Sequence, residues 1–155
     1  MNDDVSQALV NLKHPDEAVR EEATQQLWQT WFYQKGLMGL ERLKRSQAAL
    51  DAGNLTEAEQ HLTALIDEQP DFTEAWNRRA VLYYMQQDYR KAIADCEQVI
   101  EQVPFHFGAL HGLGLCHAAL GEYRAAIAAF QRALDIQPYA VVNQRLILEC
   151  TARLS

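Results

Sequence analysis

Three prolines, Pro70, Pro104 and Pro138, stand 34 residues apart in this chain of 155 residues. Each closes a run that resembles the run before it, so the chain divides into blocks at 39–72, 73–106 and 107–140. A proline ends a helix because it has no N–H to donate and disfavours helical geometry in the residue before it. A period of this length predicts an array of similar helical units that stack on one another.

Small residues recur in each block where two antiparallel helices approach most closely. A large side chain does not fit at such a crossing, so the pattern predicts one helix hairpin in each block. The small residues are Ser46, Ala80 and Gly114 at the eighth position and Ala58, Ala92 and Ala126 at the twentieth.

The repeat frame predicts helices from Leu37 to near Gly53 and over about 56–68, 73–86, 90–102, 107–120 and 124–136, with a capping helix over 140–153. Gly53 and Gly121 occupy the turn inside their hairpins, where glycine relieves a left-handed backbone. Gln87 takes that place in the second block. The second turn must therefore close differently or bear strain.

The residues before the first block predict a further helical hairpin. A short helix over 3–13 is broken at His14-Pro15, and a longer amphipathic helix runs from Asp16 to about Tyr33. The segment from Pro15 to Leu27 resembles a HEAT-type helix, and residues 1–36 are interpreted as an N-terminal cap. Its apolar stripe is expected to bury Leu40, Leu43 and Leu50 of the first block, and consists of Val19, Ala23, Leu27, Trp28, Trp31 and Phe32.

The 34-residue period, with a small residue at position 8, alanine at 20 and proline at 32, resembles the tetratricopeptide repeat (TPR) family over residues 37–153. The first block departs from the family at Arg42 and Ala49, where large apolar residues are usual. The resemblance implies an all-α fold, a right-handed α-solenoid. It would hold the hairpin of residues 1–36, three TPR hairpins within 37–155 and the capping helix.

A narrower resemblance, to small free-standing TPR proteins of bacteria and plastids, is carried by Gln25–Trp31, Pro70–Ala80 and His106–Gly114. That group implies no catalytic role, and we expect a cytoplasmic protein, or a plastid-stroma protein if the chain is a mature form. Composition agrees with a soluble chain, since 21 acidic and 14 basic residues give a net charge of −7. A nucleic-acid surface would be basic, so none is expected.

The remaining sequence features predict no export and no membrane insertion. The start Met1-Asn2-Asp3-Asp4 lacks the basic and apolar regions of a secretory leader, and no apolar run is long enough to span a bilayer. The odd set Cys96, Cys116 and Cys150 has no Cys-x-x-Cys spacing, which favours reduced, buried thiols.

The family places positions 2, 5, 9, 12 and 13 of each first helix on a concave groove, which gives the candidate peptide-binding residues. Among them, Asn77 and His111 would bond the ligand backbone, and Tyr84 and Met85 would pack on its side chains. Val81 and Leu115 have a second interpretation, as core between helices. The candidates are Asn77, Arg78, Val81, Tyr84, Met85, His111 and Leu115.

Three more specific kinds of site fit the sequence poorly: a carboxylate clamp, a metal site and a catalytic site. The carboxylate clamp of chaperone-binding TPR proteins needs basic or amide residues where this chain has Leu43, Gln47, Arg78, Gly108 and Gly112. The residues His111, Cys116 and His117 are spaced so that their side chains diverge on a helix, so no metal and no cofactor is expected. Because no catalytic grouping stands out, an enzyme is not expected.

The sequence thus predicts a non-enzymatic interaction module or scaffold that binds a peptide or protein segment in the groove of repeats 2–3. We expect it to be a monomer or a weak homodimer. The alternative is a structural or self-associating assembly factor whose groove is filled by its own N-terminal helix. The position of that helix separates the two.

Overall fold

The computed structural model describes residues 3–154; Met1, Asn2 and Ser155, on which the leader prediction and the outer ends of the two predicted units fall, lie outside the described residues. Within that range the chain is all α-helical, as predicted, and each helix bound lies within two residues of its predicted position. The helices are α1 (Asp3–Asn11), α2 (Glu17–Phe32), α3 (Gly36–Asp51), α4 (Leu55–Glu68), α5 (Thr73–Met85), α6 (Tyr89–Gln102), α7 (Phe107–Ala119), α8 (Tyr123–Ile136) and α9 (Val141–Arg153).

Helices α3 to α8 form three hairpins, and α9 packs on the last of them. Gly114 of α7 shows how closely the paired helices approach, since a Cβ there would lie 2.4 Å from the Phe130 ring of α8. Ala126 and Phe130 are fully buried at this crossing together with Cys150 of α9. The small residues of the repeat therefore act as predicted, by admitting a partner side chain.

All three hairpin turns have the same geometry, including the turn without glycine. Gly53 and Gly121 have φ values of 80° and 75°, and Gln87 has a φ of 62°. The Gln87 N–H donates to Tyr84 O at 3.0 Å, as the Gly121 N–H donates to the Ala118 carbonyl. The second turn thus keeps the glycine conformation and bears the strain of a side chain in it.

An ion pair lies inside the second repeat where the third repeat is apolar. Arg79 donates to both carboxylate oxygens of Asp95 at 2.8 and 2.9 Å, and to Thr63 at 3.2 Å. Asp95 is buried. The pKa of the Arg79 guanidinium is raised, chiefly by the hydrogen bond to Asp95. The third repeat has Leu113 and Ala129 at the corresponding positions.

Helix α2 crosses the array along the loops that follow the three prolines. Gln34, just beyond its end, donates to Asp71 O at 2.7 Å, after Pro70. Trp31 stacks on His106, after Pro104. Arg20 lies over the Tyr139 ring at 4.0 Å, after Pro138. The N-terminal hairpin therefore holds all three repeat junctions from one side.

This position corrects the expectation that Trp28 and Trp31 cover the first repeat. Both rings instead contact Phe107, with centroids 5.4 and 5.1 Å away, at the junction of the second and third repeats. Phe105 and Phe107 form one apolar cluster with these tryptophans, and aromatic side chains bury large areas against one another. Phe32 alone behaves as expected, since it packs in the cluster that buries Leu43.

Candidate peptide-binding groove

An open hollow of about 540 Å³ lies between α5, α7 and α9. Leu115, Ala118 and Ala119 of α7 form its floor, and Tyr84 of α5 stands on one side. Its size falls in the range of about 300–1,000 Å³ that is usual for ligand sites. The other side and the end are formed by Tyr123, Leu146, Glu149, Cys150, Ala152 and Arg153.

Three of the predicted binding residues present large apolar surface on one face of α5, and Tyr84 among them lines the hollow. The exposed fractions of Val81, Tyr84 and Met85 are 42%, 38% and 53%. They lie within the last two turns of α5. Leu115 is half-buried and packs against the cluster around Phe130, which agrees with its second interpretation as core.

The three polar residues of the predicted site already have partners within the chain. Asn77 is buried and donates to both carboxylate oxygens of Glu74, at 3.2 and 3.3 Å. His111 Nδ1 lies 2.6 Å from Asn143 Oδ1. Arg78 donates to Gln47 Oε1 at 3.1 Å and lies over the Phe32 ring. A ligand that used these donors would have to replace existing bonds, so their role in binding stays a prediction.

Glu74 occupies a groove position in the family frame, yet it is fully buried beneath the N-terminal hairpin. His106 Nδ1 accepts the Ala109 N–H at 3.0 Å, which leaves the ring proton on Nε2. That Nε2–H donates to Glu74 Oε1 at 2.8 Å. Both side chains have no exposed surface. This pair fastens α5 to α7 and is closed to ligand.

The concave face is also closed at the end where the first helices of the repeats begin. Gly108 lies under the Trp28 ring, so closely that a Cβ there would be 2.6 Å from Trp28 Cη2. Leu43 is buried in the first repeat. Two of the positions at which chaperone-binding TPR proteins clamp a carboxylate are thus filled by apolar contacts. The open surface is the other half of the face, toward the ends of α5, α7 and α9.

The residues that sequence reasoning missed are those of α9. The sequence predicts a capping helix here, and Leu146 and Cys150 do pack against α8. However, residues 149, 152 and 153 take positions 9, 12 and 13 if the repeat frame is continued from residue 141. Continuing the period past the last proline would have found Glu149 and Arg153 as groove residues.

The thiols near the groove are protonated core side chains. Burial raises the pKa of Cys116 to about 11 and also raises the pKa values of Cys96 and Cys150. Between Asp3 and Leu154, no three His, Cys, Asp or Glu side chains gather as metal ligands. Across the same residues, no helix is both long and apolar enough to cross a membrane.

A family profile described as tetratricopeptide repeat matches residues 71–138. A TPR repeat-containing protein of Rhizobium etli is 39% identical over 95 residues, which cover 61% of this chain and 42% of that protein. Residues 71–138, which make up most of the second and third blocks, therefore match the tetratricopeptide repeat family. The Hsp70-Hsp90 organizing protein of Triticum aestivum is 29% identical over 101 residues, or 65% of this chain and 17% of that protein. The chain thus spans less than half the length of either curated relative.

Solved structures share the TPR fold at low sequence identity. The first TPR of Spaghetti (RPAP3), bound to an HSP90 peptide, has a TM-score of 0.71 and 19% identity, over 74% of this chain and 91% of that one. MamA has a TM-score of 0.67 and 22% identity, over 70% of this chain and 64% of that one. The TPR2B domain of yeast Sti1, in a complex with pHsp70, has a TM-score of 0.67 and 18% identity, over 73% of this chain and 95% of that one.

Proposed function

We propose that this TPR protein is a non-enzymatic protein–protein interaction module, and that the groove between α5, α7 and α9 binds a segment of a partner protein. The observation that carries the proposal is the exposure of Val81, Tyr84 and Met85 on one face of α5, where Tyr84 lines the hollow together with Ala118 and Ala119. Contiguous exposed apolar side chains around a concavity are typical of a surface that is covered by a ligand.

The relatives support a role in protein–protein interaction but do not identify the partner of this chain. One structural neighbour is bound to an HSP90 peptide and another is in a complex with pHsp70. The buried Leu43 and the Trp28 ring over Gly108 offer nothing to a chain-end carboxylate. We therefore propose that the partner segment is recognised through apolar side chains and not through a terminal carboxylate.

A structural role is the second candidate, and the contacts of α2 at all three junctions favour it. In that case the chain's own helix would fill the groove, and the protein would act as an assembly factor. We favour the interaction module because Trp28 lies over Gly108 in the first turn of α7 and Phe32 contacts Arg78 in the middle of α5, while Tyr84 and Met85 remain exposed.

The test compares Met85→Glu with Met38→Glu, two charge insertions at exposed methionines. Met38 is 81% exposed in the first turn of α3, away from the hollow, and serves as the matched control. Each variant and the wild-type chain would capture partners from a lysate of the source organism, with quantitative mass spectrometry. We expect Met85→Glu to lose partners that Met38→Glu retains; identical partner sets would rule the groove out.

A further inference from the structure

We propose that the partner segment is an amphipathic α-helix that lies in the groove beside α2. This inference rests on the proposed function and names the kind of ligand that the groove takes. It follows from the way in which α2 already crosses the array, from the distance between α2 and the hollow, and from the hydrogen bonds that already occupy Asn77 and His111.

Helix α2 shows that the array accepts a helix laid across it. Its Phe32 contacts Arg78 of α5, its Trp28 contacts Gly108 of α7, and its Arg20 contacts Tyr139 just before α9. The twelve residues between Arg20 and Phe32 correspond to about 18 Å of helix, or about 9 Å per repeat. Neighbouring packed helices are about 8–10 Å apart, so one straight helix meets every repeat in turn.

The hollow lies one helix width from α2 along the same helices. On α7, Trp28 covers Gly108, whereas the floor of the hollow begins at Leu115. Seven residues of helix correspond to about 10 Å. A second helix packed at the usual separation from α2 would therefore lie over Leu115 and Ala118, with Trp28 and Phe32 toward its near side.

The chemistry of the groove favours a helix over an extended chain. An extended segment presents unpaired backbone N–H and C=O groups that need partners once water is removed. The amide and imidazole groups that the sequence offered for this purpose, Asn77 and His111, are bonded to Glu74 and Asn143. The floor of the hollow is apolar, with Leu115 and two alanines. A helix satisfies its own backbone and needs only apolar contact on one face.

The small floor also predicts the pattern of the ligand. Ala118, Ala119 and Ala152 leave a depression that a bulky side chain would fill. Because adjacent repeats are about 9 Å apart and a helix rises about 1.5 Å per residue, the apolar anchors would recur every six or seven residues. The ligand is thus expected to carry large apolar residues at i and i+7, with support at i+3 or i+4.

The experiment selects binders to the full chain from two display libraries of equal size. One library randomises a single face of a stably helical scaffold, and the other consists of linear peptides kept extended by interspersed prolines. Binders are then measured against Ala119→Trp, which fills the hollow, and against Ala94→Trp, the same change at an exposed position of α6. Tyr84→Ala provides a second groove variant, and circular dichroism checks that each variant is folded.

We expect binders from the helical library with apolar residues seven apart, and a loss of affinity of about tenfold or more in Ala119→Trp and in Tyr84→Ala but not in Ala94→Trp. Groove-dependent binders from the linear library alone would overturn the helix inference and leave the proposed function standing. If neither library gave binders that respond to Ala119→Trp or Tyr84→Ala, both proposals would fail.

Discussion

The Trp31 indole lies flat on the His106 imidazole, with ring centroids 4.0 Å apart and planes inclined by 21°. The same imidazole caps the N-terminus of α7 and bonds to buried Glu74 of α5. Through His106, a single residue of the N-terminal hairpin therefore contacts the junction between the second and third repeats. The hairpin is thereby part of the array's core and more than a cover for its first repeat.

Removal of the Trp31 ring should lower the stability of the whole array. Trp31 is buried among Phe105, His106 and Phe107, and replacing a buried tryptophan by alanine costs about 3–5 kcal/mol in free energy of unfolding. Urea unfolding followed by circular dichroism measures the loss. Tyr33→Ala is the control, since Tyr33 is exposed. A loss in Trp31→Ala no larger than in the control would show that the hairpin is a dispensable cap.

The Gln87 turn should become more stable when its side chain is removed. A left-handed conformation costs an L-residue about 1–2 kcal/mol relative to glycine, so Gln87→Gly should raise the free energy of unfolding by up to about that amount. Gln86→Gly is the matched control, because Gln86 has a φ of −79° and gains nothing from glycine. The two variants should therefore shift the thermal midpoint in opposite directions. Equal shifts would mean that the φ of Gln87 bears no strain.

The two central glycines of α7 should respond oppositely to the same substitution. In Gly114→Ala the new Cβ would meet the Phe130 ring, whereas in Gly112→Ala it would lie 3.5 Å from Cys96 Sγ, an ordinary contact. Overpacking costs about 1–3 kcal/mol, while replacing glycine by alanine within a helix gains about 1 kcal/mol. Chemical denaturation should find Gly114→Ala less stable and Gly112→Ala more stable than the wild-type chain. Stabilisation of both would show that α7 and α8 have room at their crossing.

Local periodicity explains why the helices could be predicted and why the path of α2 could not. The spacing of Pro70, Pro104 and Pro138 sets the helix ends through contacts between near neighbours in sequence. The apolar stripe of α2 shows that it needs a surface, but several surfaces satisfy that need. The repeat frame likewise assigned Glu74 to the groove. Its burial depends on His106, which lies 32 residues further along the chain.

The ion pair of Arg79 and Asp95 should be replaceable by the apolar pair of the third repeat. Asp95→Ala alone would leave the half-buried guanidinium without its carboxylate, and breaking a buried pair costs about 3–5 kcal/mol. The double variant Arg79→Leu/Asp95→Ala reproduces Leu113 and Ala129, and an apolar replacement of a buried pair is often neutral or stabilising. Urea unfolding of both single variants and the double variant forms a double-mutant cycle, in which we expect the second change to recover most of the loss. Additive losses would show that Arg79 contributes through its contacts with Trp76 and Tyr83 and not through its charge.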